Sequence, residues 1–321
     1  MKVLFYHSSP VPVKKYGGTE RVLYWLMKEL ARRGNEVVLL GNAKSSVDEI
    51  GVKLMPIFQE DWRSQIPSDV DIVHLFEPTS LDIKHPHVLT VHGNGQIDEK
   101  YPKNTIFVSR KHAENHGSDV FVYNGLDLSE YPYKPRRGLA WDNFIFLAKA
   151  SWRVKNLSHC IEVCKSTKKD LYIAGGKAFS FSKYIHSLGM VDQNTKNELL
   201  KKMDALLFPV RWHEPFGLAV IEAMAMGVAV IGSSYGSLPE LITKDTGIIC
   251  KDYNEFKEAV SRNYNVFITD KMRKYVEDKF SSSVMTDNYI AYYKRVINGE
   301  TINKNNPQWK LKEPPESLLH F

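Results

Sequence analysis

The order of apolar and polar positions at the start of the chain predicts alternating strands and helices. Residues 2–6 are a short apolar run, and residues 19–33 then place apolar side chains three and four positions apart, the spacing of one helix face. Those side chains are Val22, Leu23, Leu26, Met27 and Leu30. Gly34 ends the helical pattern, and residues 36–40 form another apolar run. A strand, a helix and a strand in this order predict a βαβ unit with parallel strands.

The same alternation continues through both halves of the chain. In the first half, further strands are predicted at residues 71–75, 87–92, 105–108 and 120–123. Residues 131–138 contain two prolines and no periodicity, so they are the predicted linker between two domains. After it, strands are predicted at 143–147, 171–174 and 205–208, and helices at 157–166, 218–226, 270–280 and 283–296. The pattern predicts two α/β domains, at residues 1–131 and 139–282.

Length, charge and cysteine content narrow the class of protein. The 321 residues are enough for about two domains that each bury a core. The net charge of +6 is compatible with an anionic small molecule, an anionic lipid surface or nucleic acid, and it does not decide among them. The three cysteines are too few for a disulfide framework, and no apolar run reaches the ~20 residues of a membrane span. We therefore expect a cytoplasmic protein with buried, reduced thiols and, since no basic block or zinc-finger spacing occurs, no nucleic-acid partner.

The stretch 213–222 carries the most chemical information. The apolar run 205–208 precedes it, and its second half begins a helical run without a breaker. A helix that begins at Phe216 or Gly217 directs unpaired N–H groups and the positive end of its dipole at the preceding loop, and such ends bind anions. Gly217 has no side chain, so a phosphate or a sugar hydroxyl can approach its backbone closely.

Two carboxylates flank this helix start. Glu214 lies in the loop, and Glu222 lies about a turn and a half into the helix. Taken singly, each is more commonly a solvated side chain. Because a carboxylate accepts hydrogen bonds from adjacent sugar hydroxyls, the two residues with the anion site between them fit a nucleotide sugar, whose diphosphate lies between two polyols.

The segment 206–241, which contains both carboxylates and closes on Pro239 and Glu240, resembles the donor-site signature of family 4 glycosyltransferases, retaining enzymes of GT-B fold. The resemblance implies that Glu214 contacts the donor sugar and that Glu222 holds the ribose. It also implies backbone contacts to the sugar and the phosphate from Phe216, Gly217 and Leu218.

Three cations lie in the loop after the predicted strand 143–147. The resembled family has an Arg and, several residues later, a Lys in this loop, and both neutralise the leaving diphosphate. Lys149 stands at the first position, where it offers a point charge instead of the planar fork of an arginine, and Lys155 stands at the second. Arg153 is expected to compensate for the missing arginine. A solvated basic loop is the alternative interpretation.

Four more positions enter through the resemblance. Gly17 and Gly18 precede a helix without the three spaced glycines of a dinucleotide fingerprint, which argues against a dehydrogenase. The resemblance implies that these glycines approach the donor diphosphate or the acceptor, that His92 contacts the donor sugar, and that the backbone at Val191 receives the nucleobase. The alternatives are an ordinary turn for the glycines and a structural histidine.

The resemblance further implies a GT-B fold, in which two Rossmann-like domains face each other across a cleft and a segment of about 283–321 crosses back to the first domain. The implied function is retaining transfer of a sugar from a nucleotide diphosphate sugar to an acceptor hydroxyl, in bacterial envelope polysaccharide or lipid-linked glycan synthesis. We expect no cofactor beyond the donor substrate and no metal, since the Asp69 and Asp71 pattern lies at the start of a buried strand.

Other interpretations stay open. A GT-B sugar nucleotide epimerase or hydrolase would share the donor site, and so would a non-catalytic nucleotide-sugar-binding protein. Lys14 and Lys15 with nearby aromatic residues suit peripheral contact with the inner face of a membrane, and an ordinary solvated loop fits them equally well. His112 and His116 have a spacing that a metal could use, but without a third ligand nearby we expect them on the surface.

Overall fold

The computed structural model describes residues 1–13, 17–80, 82–135, 140–263 and 265–321. The chain divides into two compact units, the first made of Met1–Leu126 and Phe280–Lys312 and the second of Asp127–Lys279 and Glu313–Phe321. Lys14 and Lys15, which suit either peripheral membrane contact or a solvated loop, lie outside the described residues, and so does part of the predicted linker. Among the helices of the described residues, none combines the length and the apolar character that crossing a membrane requires.

The first unit is built on a six-stranded sheet in which the spatial order is β3-β2-β1-β4-β5-β6 and neighbouring strands are parallel. Its strands are β1 (Lys2–His7), β2 (Glu36–Gly41), β3 (Val52–Pro56), β4 (Ile72–Leu75), β5 (His87–Val91) and β6 (Thr105–Phe107). The central strands β1 and β4 are almost wholly buried, as expected for a parallel sheet covered on both faces. The order reverses between β1 and β4, so the loops that follow these two strands diverge at a topological switch point, where open α/β sheets bind ligands.

The second unit repeats this design with the strand order β12-β11-β10-β7-β8-β9, again parallel. Its strands are β7 (Asn143–Leu147), β8 (Asp170–Ala174), β9 (Ile185–Gly189), β10 (Ala205–Phe208), β11 (Ala229–Ser233) and β12 (Gly247–Cys250). Here the order reverses between β7 and β10. The loops after β7 and β10 carry the cations and the carboxylates that the sequence singled out, so the switch point brings the two motifs together.

Helices connect the strands. They are α1 (Gly18–Arg32), α2 (Arg110–Asn115), α3 (Leu157–Thr167), α4 (Gln193–Leu200), α5 (Leu218–Ala225), α6 (Leu238–Leu241), α7 (Tyr253–Ser261), α8 (Thr269–Lys279) and α9 (Ser282–Ile297). Several begin at a side-chain cap, such as Asp192 of α4 and Asp252 of α7, whose carboxylates accept from backbone N–H groups. By contrast, α1 and α5 begin at Gly17 and Gly217, which supply no side-chain cap.

Helix α9 returns to the first unit and packs on α1. Arg33, at the end of α1, donates to the carbonyl of Ser283 at 2.9 Å and pairs with Asp287 at 2.5 Å. The side chain of Ser281 caps α9 by accepting from the N–H of Val284. The Arg33 contacts hold the start of α9 against α1, and the Ser281 cap satisfies a backbone N–H in the first turn of α9 itself.

Two sequence-based assignments differ from the structure. Residues 120–123 form no strand, since Phe121 makes only an isolated bridge to Phe107. The crossing segment also ends earlier than the predicted 321, because Glu313–Phe321 belongs to the second unit. Phe321 is 5% exposed there and packs against Phe256, so apolar burial draws the end of the segment to that unit.

The histidines at 112 and 116 are buried, which corrects the expected surface position. His112 is 1% exposed and His116 is 0% exposed. Their ring nitrogens contact the carbonyl oxygens of Gly93 and Asn94 at 3.0 Å, and burial lowers the pKa of both rings. Backbone partners therefore replace water for these imidazoles. The cysteine prediction is confirmed: Cys160, Cys164 and Cys250 are free and buried.

Candidate functional site

In the second unit, the loops that follow β7 and β10 meet at a buried ion pair between Lys155 and Glu214. Lys155 Nζ lies 2.5 Å from Glu214 Oε2, and each side chain is 8% exposed. The indole N–H of Trp212 donates to the same oxygen at 2.6 Å. Lys155 Nζ also lies 4.8 Å from the Trp212 ring centroid and 5.3 Å from that of Phe208, so aromatic faces stabilise the ammonium. The resemblance implies that Lys155 contacts the diphosphate and Glu214 the sugar, and the structure shows that the two side chains also contact each other.

A second pair of the same kind surrounds Glu222. Lys196 Nζ lies 2.6 Å from Glu222 Oε1, and the hydroxyl of Tyr131 donates to the same oxygen at 2.6 Å. Glu222 is 4% exposed, Lys196 6% and Tyr131 1%. A lone carboxylate this deep would carry a large desolvation cost, which the ammonium and the hydroxyl offset. Each motif carboxylate thus has a lysine and an aromatic donor on a single oxygen.

The N-terminus of α5 lies in the sequence between the two carboxylates. Gly217 has a φ of 93°, which an L side chain rarely adopts, and it is buried. The loop before it is held from the other side, because the hydroxyl of Ser237 donates to the carbonyl of Phe216 at 2.6 Å. A Cβ on Gly236 would lie 2.3 Å from the backbone of Glu214, so only glycine permits this approach. Leu218, which we expected inside the helix, is its first residue.

The loop after β7 contains the two remaining predicted cations. Lys149 and Arg153 are exposed, and the Lys149 ammonium lies 5.4 Å from the centroid of the Trp152 ring. Asn156, at the position where the resembled family more often has glycine, adopts a φ of 61°. Asparagine tolerates this conformation, and its amide donates to the carbonyl of Pro209 at 2.9 Å. The loop after β7 is thereby tied to the loop after β10.

Val191 lies between β9 and α4, one residue before the cap Asp192, and it is half-buried. The glycines after β8, which sequence reasoning did not select, pack on the loop after β7: a Cβ on Gly175 would lie 2.0 Å from the carbonyl oxygen of Ala148. Gly175 has a φ of 127° and Gly176 one of 143°. Two adjacent glycines after a strand are the signal that could have identified this turn.

The remaining predicted positions lie in the first unit. Gly17 has a φ of 152°, and a Cβ there would lie 2.6 Å from Glu20 Oε2. Gly18 is the first residue of α1. His92 follows β5, its ring packs 5.0 Å from that of Phe76, and its Nε2 is buried without a hydrogen-bond partner in the described residues. Burial lowers the pKa of His92 to about 3. A neutral ring with an unsatisfied nitrogen is suited to a ligand hydroxyl.

Sequence reasoning overlooked three titratable groups at the switch point of the first unit. His7, at the end of β1, lies between Glu20 and Glu77, with Nε2 3.7 Å from the first and Nδ1 3.5 Å from the second. Glu77 also accepts from the hydroxyl of Ser8 at 2.9 Å. The contact with His7 lowers the pKa of Glu20. A position just after a strand was the available signal for His7 and Glu77, whereas Glu20 lies in the first turn of α1, and no motif marked any of the three.

Lys196, Tyr131 and Trp212 are the groups of the second unit that sequence reasoning missed. In the sequence, Lys196 resembles any basic residue of a polar helix. Tyr131 lies 91 positions before its partner Glu222, so no local pattern connects the two. Trp212 precedes Glu214 by two positions, so its indole donor was the one member of this set that proximity in the sequence could have indicated. The roles of the predicted residues toward a donor stay predictions.

Known proteins resemble the second unit in sequence. Residues 142–265 match the family model described as Glycosyl transferases group 1. A 41.2 kDa protein of the cps region of Klebsiella pneumoniae is 35% identical over 112 residues, which cover 33% of this chain and 31% of the relative. The phosphatidyl-myo-inositol mannosyltransferase of Propionibacterium freudenreichii is 27% identical over 140 residues, which cover 40% of this chain and 36% of the relative. The chain therefore spans about a third of the length of these curated relatives.

Solved structures resemble the fold over nearly the whole chain. AviGT4, a glycosyltransferase involved in avilamycin A biosynthesis, superposes with a TM-score of 0.75 at 20% identity, over 94% of this chain and 99% of that one. Anabaena Alr3699/HepE in complex with UDP and glucose gives a TM-score of 0.68 at 14% identity, over 92% of this chain and 99% of that one. The predicted fold class is confirmed. Residues 142–265 of the second unit thus match the Glycosyl transferases group 1 model, within a chain of GT-B fold.

Proposed function

We propose that this protein is a retaining glycosyltransferase of family 4 type that moves a sugar from a nucleotide diphosphate sugar to an acceptor hydroxyl. The observation that carries the proposal is the pair of buried carboxylates, Glu214 and Glu222, on either side of a helix start that has glycine instead of a side-chain cap. The helix start suits the diphosphate, and the carboxylates suit the hydroxyls of the sugar and the ribose.

The charges of the site support transfer from a diphosphate leaving group. Lys149 and Arg153 are exposed cations on the loop that Asn156 ties to the loop of Glu214. Cations and backbone N–H groups placed where negative charge develops are commonly the largest single source of catalysis. Lys155, paired with Glu214, holds this carboxylate in place and adds positive charge beside the sugar position. Under this proposal the donor needs no metal, so we expect EDTA to leave the rate unchanged.

Relatives support a role in glycan synthesis. The matched proteins include a phosphatidyl-myo-inositol mannosyltransferase and proteins of a cps region. We propose a glycan or lipid-linked acceptor, bound by the first unit, in envelope polysaccharide or lipid-linked glycan synthesis at the cytoplasmic side of a membrane. UDP sugars are the first donors to test, since solved structures of similar fold bind UDP.

The proposal is tested by thermal unfolding of the full chain with UDP-glucose, UDP-N-acetylglucosamine and GDP-mannose. A donor at 100 times its Kd stabilises the folded protein by about 2.7 kcal/mol, which is a measurable rise in Tm. The donor that stabilises is then incubated with and without a glycan acceptor mixture, and free nucleotide diphosphate and glycosylated product are measured. NMR of the product's anomeric proton checks retention.

Glu214→Gln is expected to abolish transfer in a chain that still folds, at lower stability because buried Lys155 loses its counter-charge, and circular dichroism checks the fold. Glu198→Gln is the matched control, because Glu198 lies on the surface with 64% of its side chain exposed. Rapid release of nucleotide diphosphate without acceptor would favour the hydrolase alternative, and interconversion of donor sugars would favour an epimerase. Donor binding without turnover would favour a non-catalytic protein, and the absence of stabilisation by any nucleotide sugar would overturn the proposal.

A further inference from the structure

The loop between β8 and β9 presents two phenylalanine side chains to solvent. Phe179 is 86% exposed and Phe181 is 93% exposed, and their ring centroids lie 4.7 Å apart at an interplanar angle of 81°. Leu188, in β9, and Met190, directly after it, are 41% and 44% exposed. Four of the large apolar side chains that are exposed in the described part of the chain therefore lie between positions 179 and 190. A single exposed apolar residue is ordinary, whereas a group of them marks a site of interaction.

The exposure of this loop alternates along the chain. The exposed residues are Lys177, Phe179, Phe181 and Lys183, and the residue between each pair of them is half-buried. A period of two is that of an extended segment, in which alternate side chains lie on the same side. The four exposed residues, here called the outward stripe, thus share one side of the loop. The stripe has an apolar centre between two cations.

Serine hydroxyls satisfy backbone donors on the inner side of the loop. The N–H of Ala178 donates to the hydroxyl of Ser187 at 2.9 Å, and the N–H of Ser182 donates to the hydroxyl of Ser180 at 3.2 Å. A backbone donor that is paired within the protein can leave water without the cost of an unsatisfied group. The loop can therefore bring its phenylalanine rings into an apolar medium and keep these backbone hydrogen bonds.

The charge around the stripe favours an anionic partner. The chain has no aspartate or glutamate between positions 171 and 191. The Lys183 ammonium lies 5.2 Å from the centroid of the Tyr184 ring, and neither lysine of the stripe has an ion pair among the described residues. An anionic bilayer attracts cations to its surface and takes up apolar side chains at the boundary of its headgroups. Sites for small molecules are concave, so protruding rings fit a bilayer better than a nucleobase.

We propose that the outward stripe is a membrane-docking surface whose partner is an anionic lipid bilayer. The two phenylalanine rings insert among the headgroups, and the two flanking lysines contact lipid phosphates. The alkyl stems of the lysines lie along the apolar boundary while their ammonium groups stay in water. The inference rests on the proposed function only for the reason that the chain visits a membrane, which is to reach a lipid-linked acceptor.

The test is co-sedimentation of the full chain with vesicles of phosphatidylcholine and phosphatidylglycerol in a three to one ratio. The wild type is expected to bind these vesicles about tenfold or more tightly than vesicles of phosphatidylcholine alone, because each lysine near an anionic surface contributes about fivefold in affinity. Phe179→Ser combined with Phe181→Ser is expected to weaken binding by about tenfold or more, since the rings supply the inserted apolar area. Lys177→Gln combined with Lys183→Gln is expected to weaken it by about tenfold at low salt.

Two control variants match these changes. Phe58→Ser removes another exposed ring, because Phe58 is 77% exposed and is followed by Glu60 and Asp61 instead of lysine. Lys165→Gln combined with Lys257→Gln repeats the change of net charge at exposed positions of α3 and α7. Both controls are expected to bind anionic vesicles nearly as tightly as the wild type. All of the replaced side chains are exposed, so every variant is expected to fold, and circular dichroism checks this.

The inference is wrong if the phenylalanine variant binds anionic vesicles as the wild type does, or if Phe58→Ser loses as much binding. It is also wrong if the phenylalanine variant keeps vesicle binding and instead loses nucleotide affinity, or changes from a dimer to a monomer in light scattering. The rings would then serve a nucleobase or a second copy of the chain. A wild type that binds no vesicles but transfers sugar to a soluble acceptor overturns the inference alone. Vesicle binding through the stripe without affinity for any nucleotide sugar supports the inference and overturns the proposed function.

Discussion

Lys155 Nζ lies 2.5 Å from Glu214 Oε2, although 59 positions separate the two residues in the chain. The contact arises because β7 and β10 are neighbours at the point where the strand order of the second sheet reverses. Loops that diverge from such a point leave a crevice between them, and here one loop supplies the cation and the other the carboxylate.

Breaking this pair is expected to cost more than breaking a pair on the surface. Lys155→Met leaves the Glu214 carboxylate buried without its counter-charge, which is expected to lower the free energy of unfolding by about 3–5 kcal/mol. Adding Glu214→Gln in the same chain removes the uncompensated charge and is expected to restore part of the loss. Lys201→Met, in an exposed pair, is expected to cost less than about 1 kcal/mol. Urea unfolding measures all three; equal losses for Lys155→Met and Lys201→Met would contradict the prediction.

Comparing Gly217→Ala with Gly34→Ala distinguishes the effect of backbone strain from an effect on ligand binding at the start of α5. Gly217 has a φ of 93°, and a Cβ there would meet its nearest neighbour at 3.4 Å, so alanine fits but is strained. We expect a loss of roughly 1–2 kcal/mol of stability together with weaker nucleotide binding. Gly34→Ala carries a similar strain at a φ of 78° in open space. It is expected to cost similar stability with no change in nucleotide affinity, and a parallel loss of affinity in Gly34→Ala would show that strain alone is responsible.

The free energy of unfolding is expected to decrease as the pH is lowered below 6.5, because two buried histidines stay neutral in the folded protein. Burial lowers the pKa of His92 from 6.5 to about 3 and that of His74 also well below 6.5. In the unfolded chain both rings titrate at their ordinary value, so between pH 6.5 and about 3 the unfolded state binds more protons. The stabilisation is therefore present above pH 6.5 and is lost as the pH falls, at up to ~1.4 kcal/mol per pH unit for each ring.

Urea midpoints measured from pH 8 to pH 4 check this dependence. His92→Asn removes one of the titrating rings and is expected to flatten the slope by up to ~1.4 kcal/mol per pH unit. A slope that does not change in this variant would mean that His92 is protonated in the folded protein.

The cations of the loop after β7 are expected to act on the donor rather than on folding. Lys149→Ala or Arg153→Ala should weaken nucleotide diphosphate binding by about tenfold, the equivalent of ~1.4 kcal/mol, and lower its salt dependence. Lys149→Arg should strengthen binding, since guanidinium matches phosphate with two parallel bonds. Lys165→Ala, on the exposed face of α3, is the control. Affinities that are the same in all four variants would remove Lys149 and Arg153 from the donor site.

The sequence by itself predicted the alternation of strands and helices, without β3, β9, β11 and β12, and the glycine that begins α5 without a side-chain cap. It also predicted the motif residues assigned to a donor. These features depend on the period of apolar positions and on local backbone preferences, which neighbouring residues fix. The predicted strand at 120–123 was wrong because its apolar side chains pack in the core without a full hydrogen-bond ladder. The predicted surface position of His112 and His116 was wrong because backbone carbonyl groups serve as their buried hydrogen-bond partners.

Tertiary structure alone decided which groups share a carboxylate. Lys155 comes to Glu214 from a loop 59 positions earlier, and Tyr131 comes to Glu222 from 91 positions earlier. His7 likewise meets Glu77 only where β1 and β4 lie side by side. No local preference encodes these pairs, because they follow from the order of strands in a sheet and from the need of a buried charge for a counter-charge.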